Sequence, residues 1–377
     1  MSDLKKCILA PDSFKGTLSA VQVCNVMERE IKREFPDCRI IKIPVADGGE
    51  GTTDCFLSAW NAPKTEVTAT GPFMEKIKTG YALCHENAVM EIASVAGLPM
   101  AEGHTDVLHA TTYGLGALVR DAVTRGCREL TIGLGGSCTN DAGIGAAYAL
   151  GARFYDKSGK QFMPAANQMT EIGHLDLTET QKLLRPVKIT AMCDINNPMY
   201  GENGAAFVFA PQKGANPEEV RLLDENLRAL SDLICRETGK DVSSIPGAGA
   251  AGAMGAGIMA FLGGTLRSGI ETVLELTEFD RHLEETDLVI TGEGKIDSQS
   301  LQGKVLSGIL VHAGRKKVPV IIVAGSAEPD SEKAYQLGAG GIFTINRKAV
   351  DFAESRFDTE QNLSDTMHAI MQFRRLS

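Results

Sequence analysis

The sequence predicts an α/β protein of two domains: a doubly wound parallel sheet assembled from both chain ends, residues 1–63 and 280–377, with a second α/β domain, 64–279, inserted between them. Three observations predict it. The chain has 377 residues, and single cores stop growing at roughly 250–300. Short β-branched apolar runs, of the kind that make buried parallel strands, cluster near the two ends and alternate there with helical patterns. The middle of the chain carries strand and helix signals of its own.

Taken in order, the terminal runs are 6–10, 39–45, 287–291, 318–324 and 341–345, separated by helical periodicity at 18–35, 51–60, 303–316, 331–337 and a polar tail around 359–373. With the first strand central, the strand order is flavodoxin-like. The insert offers strands at 88–92, 129–133 and 187–193 and helices at 112–125 and 141–151. Segments 62–71, with Pro63, and 276–285, rich in charge, are the expected crossings. In such a fold the active site is expected in the cleft between domains.

Composition excludes several functions. Hydrophobic residues make up 43% and charged residues 23%, the balance of a globular protein, and a 6% aromatic share with one Trp gives little for nucleic-acid bases to stack on. A net charge of -10 repels polyanions, so nucleic acid is an unexpected partner and any phosphate site has to be made locally. Nine Cys at irregular spacing, without Cys-x-x-Cys, point to reduced thiols. Seven His show no metal-binding pair, which argues against protein-ligated zinc. The start of the chain has no apolar leader, so the cytoplasm is expected. The uncharged stretch 247–266 holds seven Gly, a poor lipid-facing surface, and is read as a tightly packed small-residue helix start instead of a membrane span.

Ligands of open parallel sheets sit beyond the carboxyl ends of the strands, so the loops there carry the functional signal. The first strand runs into Asp12-Ser13-Phe14-Lys15, the second into Asp47-Gly48-Gly49-Glu50-Gly51, and the third into Gly292-Glu293-Gly294-Lys295-Ile296-Asp297. In the insert, the strand at 129–133 enters Gly133-Leu134-Gly135-Gly136-Ser137-Cys138-Thr139-Asn140-Asp141, a strand, glycine loop and helix in the layout of an anion cradle. Asp194 follows the strand at 187–193. No Walker loop and no Gly-x-Ser-x-Gly elbow occurs. Gly247 to Gly252 spells the dinucleotide fingerprint, but a polar turn and not a strand precedes it, so it is read as packing. Backbone cradles, a few Lys and several carboxylates suit a polyphosphate with Mg2+, and hence phosphoryl transfer. A metal-dependent phosphate-ester hydrolase or a non-catalytic nucleotide or sugar-acid binder could use the same residues.

The strings 10–20, 44–52 and 132–143, with 193–198, 211–215, 247–257 and 291–304 following in order, resemble the bacterial glycerate kinase type 1 family over nearly the whole chain. The sequence departs from that pattern at Cys138 and Ala142, where Ala and Gly are usual, and at Lys295, where Arg is usual. The resemblance implies ATP, Mg2+ and D-glycerate as ligands, a two-domain fold, and 2-phosphoglycerate as the favoured product. On that reading Asp194 or Asp297 is the general base or a Mg2+ ligand, with Glu293 a further metal ligand. Lys15 and Lys295 neutralise the transferring phosphoryl group. Gly133, Gly135, Gly136, Ser137, Thr139 and Asn140 hold part of ATP, and Asp12, Asp47, Gly48 and Gly49 face glycerate. The sequence leaves the oligomeric state open.

Overall fold

Cys7, Ile8 and Leu9 are wholly inaccessible to solvent, as a strand covered on both faces must be. They belong to a five-stranded sheet in the order Ala339–Thr344, Val320–Ala327, Leu288–Ile296, Lys6–Leu9, Arg39–Lys42. Every pairing is parallel. Counted along the chain this is the order 2-1-3-4-5 of a flavodoxin-like sheet, with the first strand internal.

The computed structural model describes residues 4–46, 48–297, 300–301, 304–347 and 350–376. Asp47, Ser298 and Gln299, each part of a predicted loop, lie outside them. The chain divides into an end unit, Met1–Asp47, Asp54–Ala62 and Ser268–Ser377, and an inserted unit, Gly48–Thr53 and Pro63–Arg267.

In the end unit, the helix Ala20–Glu34 begins at a capping box in which the Ser19 hydroxyl accepts from Gln22 N–H and the Gln22 amide accepts from Ser19 N–H. Its Val23, Met27 and Ile31 recur at helical spacing and pack with Leu363, Met367 and Met371 of the helix Thr359–Leu376 over Leu9 and Ile290 of the sheet. The segment 268–279, expected in the insert, groups with the chain ends. The reason is packing: Ile270 lies against the backbone of Gly308, and the Trp60 indole donates to the Leu276 carbonyl at 3.3 Å.

The third strand is longer than the apolar run suggests. It continues through Glu293 and Lys295 to Ile296, paired throughout with Ala324, Ser326 and Ala327. Gly-Glu-Gly-Lys reads as a turn in isolation, but a neighbouring strand of matching length holds it extended.

The inserted unit has a six-stranded sheet in the order Thr265–Arg267, Lys188–Met192, Glu129–Gly133, Asn87–Glu91, Lys76–Cys84, Lys64–Thr70. The first four strands are parallel, and the last two form an antiparallel edge. A small sheet, Gln161–Phe162, Arg153–Asp156 and Ile172–Asp176, stands apart from it. The helix after the glycine loop runs from Ile144 to Leu150, starting later than predicted. Ahead of it the buried Asp141 carboxylate accepts from the N–H groups of Thr112 (2.8 Å), Gly143 (3.1 Å) and Gly145 (3.2 Å) and from the Thr112 hydroxyl (2.9 Å). This acid is therefore an anchor for the loop.

Among the described residues no helix is long and apolar enough to cross a membrane. The nine cysteines, all described, form no disulfide.

Candidate active site

Beyond the strand Lys6–Leu9 the ladder continues without side-chain help: Ala10 N–H donates to Ile290 O at 2.9 Å and Asp12 N–H to Gly292 O at 2.8 Å. That pairing lays the first acidic loop beside the third. Ser13 N–H caps the Asp12 carboxylate at 2.6 Å, and Phe14 and Leu18 exchange backbone hydrogen bonds, which fold Lys15 onto the tip of a tight turn. The loops enclose a cavity of about 500 Å3 at the carboxyl edge of the end-unit sheet, lined by Asp12, Lys15, Glu293, Lys295, Asp297 and Lys304 among others.

Glu293 is the chemically distinctive member. Its Oε1 is buried without a hydrogen-bond partner. Burial pushes its carboxyl up to about 7; nearby Asp12 and Asp297 add to the rise, while Ser300 and Lys304 oppose it. Asp297 is held by Ser300, whose N–H donates to Oδ1 at 3.0 Å and whose hydroxyl lies 3.2 Å from the same oxygen. Lys295 is exposed and paired with Glu328 at 2.6 Å, which raises its pKa and commits much of its charge to that partner. Lys304 stands at the cap of the helix Val305–Arg315.

The carboxyl edge of the inserted sheet is built differently. Gly133 and Met192 are register partners on adjacent parallel strands, so the glycine loop and the half-buried Asp194 leave the sheet side by side. Gly48 and Gly49 lie against the glycine loop and Met192. Gly135 N–H donates to Gly48 O at 2.9 Å, and a Cβ on Gly135 would stand 2.5 Å from Gly49 Cα. These glycines are small because backbone meets backbone. The fingerprint-like segment does the same from below: a Cβ on Gly252 would be 2.0 Å from Thr139 O. Cys138 N–H donates to Ala96 O, so with Gly135 two of the loop's N–H groups are committed to protein acceptors.

Polar side chains in this loop are less settled. Asn140 is fully buried with neither amide atom hydrogen-bonded, and the buried Thr139 Oγ1 likewise has no partner. Lys213 reaches the loop from a short turn and donates to Thr139 O at 2.6 Å and Ser137 Oγ at 3.1 Å.

The sequence profile of the glycerate kinase family matches residues 7–375. The chain belongs to the glycerate kinase family. It is 39% identical over 364 residues to the glycerate kinase of Bacillus cereus, covering 96% of both chains. To the glycerate 2-kinase of Escherichia coli it is 38% identical over 343 residues, covering 90% of each. A crystal structure from Salmonella typhimurium LT2, assigned as a glycerate kinase 2, superposes with a TM-score of 0.88 at 36% identity over 99% of each chain.

Within this glycerate kinase family member, the end unit gathers Asp12, Lys15, Glu293, Lys295 and Asp297 of the predicted site residues around one cavity. The inserted unit carries Gly48, Gly49, Gly133, Gly135, Gly136, Ser137, Thr139, Asn140 and Asp194. Two further lysines, without an expected role, stand beside these residues. Lys304 had a usable signal, a Gly-Lys pair opening a helical pattern. Lys213 lies in the 211–215 string of the family resemblance but has no expected role there, since Pro-Gln-Lys-Gly by itself reads as a solvated turn, although the residue is 4% exposed.

Proposed function

We propose that this glycerate kinase family member transfers the γ-phosphoryl group of ATP to the 2-hydroxyl of D-glycerate, giving 2-phosphoglycerate and ADP. The observation that carries the reading is the meeting of three carboxylates, Asp12, Glu293 and Asp297, with Lys15 and Lys304 in one cavity at the carboxyl edge of a parallel sheet. Phosphoryl transfer through a loose transition state asks for placement, charge stabilisation and one proton acceptor.

The buried, unpartnered Oε1 of Glu293, pressed by two neighbouring carboxylates, is the environment a divalent cation relieves. Glu293 and Asp12 would hold Mg2+, which supplies charge neutralisation at the phosphates. Among the described residues no group of three or more protein ligands forms a metal cage. Mg2+ needs only one or two carboxylates and completes its shell with phosphate and water.

Asp297, oriented by Ser300, receives the proton of the attacking hydroxyl. As the new O–P bond forms, the bond from the γ-phosphorus to the β–γ bridging oxygen breaks and its electron pair leaves with ADP. Lys15 and Lys304 balance the equatorial oxygens. Asp194, at the carboxyl edge of the inserted sheet, is the competing base, and the paired variants below separate the two. Incubation with ATP and Mg2+, with and without D-glycerate, tests the activity: acceptor-dependent ADP supports it, and acceptor-independent phosphate release rejects it. Phosphorus NMR of the product reads the position attacked.

A further inference from the structure

The Lys213 ammonium is an isolated cation in the interior of the inserted unit. It is 4% exposed, and among the described residues no carboxylate forms an ion pair with it. Its two acceptors are neutral: the Thr139 carbonyl at 2.6 Å and the Ser137 hydroxyl at 3.1 Å. Asp141, the acid whose charge reaches it, is already engaged by Thr112, Gly143 and Gly145. Buried charges are ordinarily paired, because an ion taken out of water without a partner loses its solvation uncompensated. Immediately beside these contacts in the chain, Asn140 has a fully buried amide with no partner for oxygen or nitrogen, and Thr139 has a buried hydroxyl with none. Buried polar groups in folded proteins nearly always have partners, so several without one in a single loop mark a place where a ligand supplies them.

We infer that Ser137, Thr139, Asn140 and Lys213 form a subsite for an oxyanion of one substrate, with Lys213 as the positioning residue that sets the Ser137 hydroxyl and supplies the charge. The inference rests on the kinase reading for the identity of the substrates. Two sources fit the chemistry, the carboxylate of the acceptor and a phosphate of the nucleotide. The orphan Asn140 oxygen needs a donor as well, which a hydroxyl on the same ligand provides.

Titration supplies the decisive readout. Burial pulls the Lys213 ammonium down to about 8, with Cys138 and Asp141 opposing that fall. Cys138 is itself pushed up to about 11 by burial, so it stays a neutral thiol near pH 8. Neither ligand titrates there: carboxyl groups ionise near 4 and the last phosphate proton leaves near 6. Raising the pH through 8 therefore removes the cation from an otherwise unchanged pair.

The experiment is steady-state kinetics from pH 6.5 to 9.5, varying D-glycerate at saturating ATP and ATP at saturating D-glycerate. The wild-type enzyme is expected to show a KM for one substrate that climbs about tenfold per pH unit above 8. Lys213→Arg, whose guanidinium does not titrate in this range, moves that limb beyond 9.5. Lys213→Met raises the same KM at pH 7 on the order of tenfold to a hundredfold, the factor carried by a lost charge-assisted hydrogen bond. A rise for D-glycerate assigns the carboxylate, and a rise for ATP assigns the phosphate. Flat wild-type KM values for both, or a folded Lys213→Met enzyme with both unchanged, overturn the inference. If Lys213→Met does not fold, the wild-type profile decides alone. A wild-type protein that makes no acceptor-dependent ADP rejects the kinase reading instead. Calorimetric binding of D-glycerate and of tripolyphosphate over the same pH range then tests the subsite, and pH-independent binding of both overturns it.

Discussion

The acidic loops of the end unit and the glycine loop of the inserted unit look equivalent in sequence, each a small-residue turn beyond a buried strand. In the structure they solve opposite problems. The acidic loops hold charges around a cavity of about 500 Å3, where burial and mutual repulsion keep a carboxyl near pH 7. The glycine loop fills space: Gly133 and Gly135 lie against Gly48 and Gly49 with no room for a side chain. A glycine cluster therefore reports close approach of backbone, and the approaching group can be protein. Unlike-charged residues at successive strand ends have no such alternative, because a solvated turn does not need them to converge.

The largest effect belongs to the acidic side. Asp297→Asn keeps size and hydrogen-bonding shape but cannot take a proton, so kcat should fall by about 10^2 to 10^4 while the thermal transition stays put. Asp194→Asn, on the other sheet edge, should cost less if Asp297 is the base. Equal turnover in Asp297→Asn and wild type removes that residue from the chemistry, and a larger loss at Asp194 transfers the role to it.

The glycine side should break by packing instead. Gly135→Ala places a methyl group 2.5 Å from Gly49 Cα and 3.0 Å from Gly49 N, a clash between backbones that no rotamer relieves. The expected cost is about 2–3 kcal/mol of stability, read by denaturant unfolding. A variant as stable as wild type but unable to bind ATP would show that ligand, and not protein, sets the need for glycine there.

A third test returns to the acidic cavity and needs no substrate. The Glu293 carboxyl is raised from its ordinary 4.5 to about 7, first by burial. The native state therefore binds more protons than the unfolded chain between those values, and stability falls as pH rises across that window. Above pH 7 the full cost is present, about 3 kcal/mol. Glu293→Gln, free of divalent cation and nucleotide, should match the wild type at pH 4.5 and be more stable at pH 8. Parallel stability curves for the two proteins across pH 4.5–8 would deny Glu293 its raised pKa.

Much of the fold was legible because parallel strands buried on both faces leave continuous apolar runs such as Cys-Ile-Leu at 7–9. The antiparallel edge was not. Its first strand, Lys64–Thr70, alternates exposed and half-buried positions and carries Lys and Glu, so it reads as a linker. The extension of the third strand to Ile296 was hidden by two glycines, and it depends on a partner some thirty residues on. In the site, charges at strand ends could be read directly. Lys213 could not, since burial of a lone lysine is decided by distant chain closing over it.

Ala142 gives the smallest and most discriminating test of the packing account. It is buried and sits at φ 50, in the left-handed region that favours glycine. An L-residue there costs roughly 1–2 kcal/mol. Against that relief, Ala142→Gly loses a buried methyl of about 0.8 kcal/mol and gives the unfolded chain about 0.5–1 kcal/mol of extra entropy. The opposing contributions nearly cancel, so stability should stay within about 0.5 kcal/mol of wild type. Ala147→Gly, equally buried but inside the helix Ile144–Leu150, has no strain to relieve and should lose about 1–2 kcal/mol. Chemical denaturation of the two variants side by side decides it. Equal losses would mean that the left-handed turn stores no strain, and that the departure from glycine at this position is held by contacts beyond the backbone.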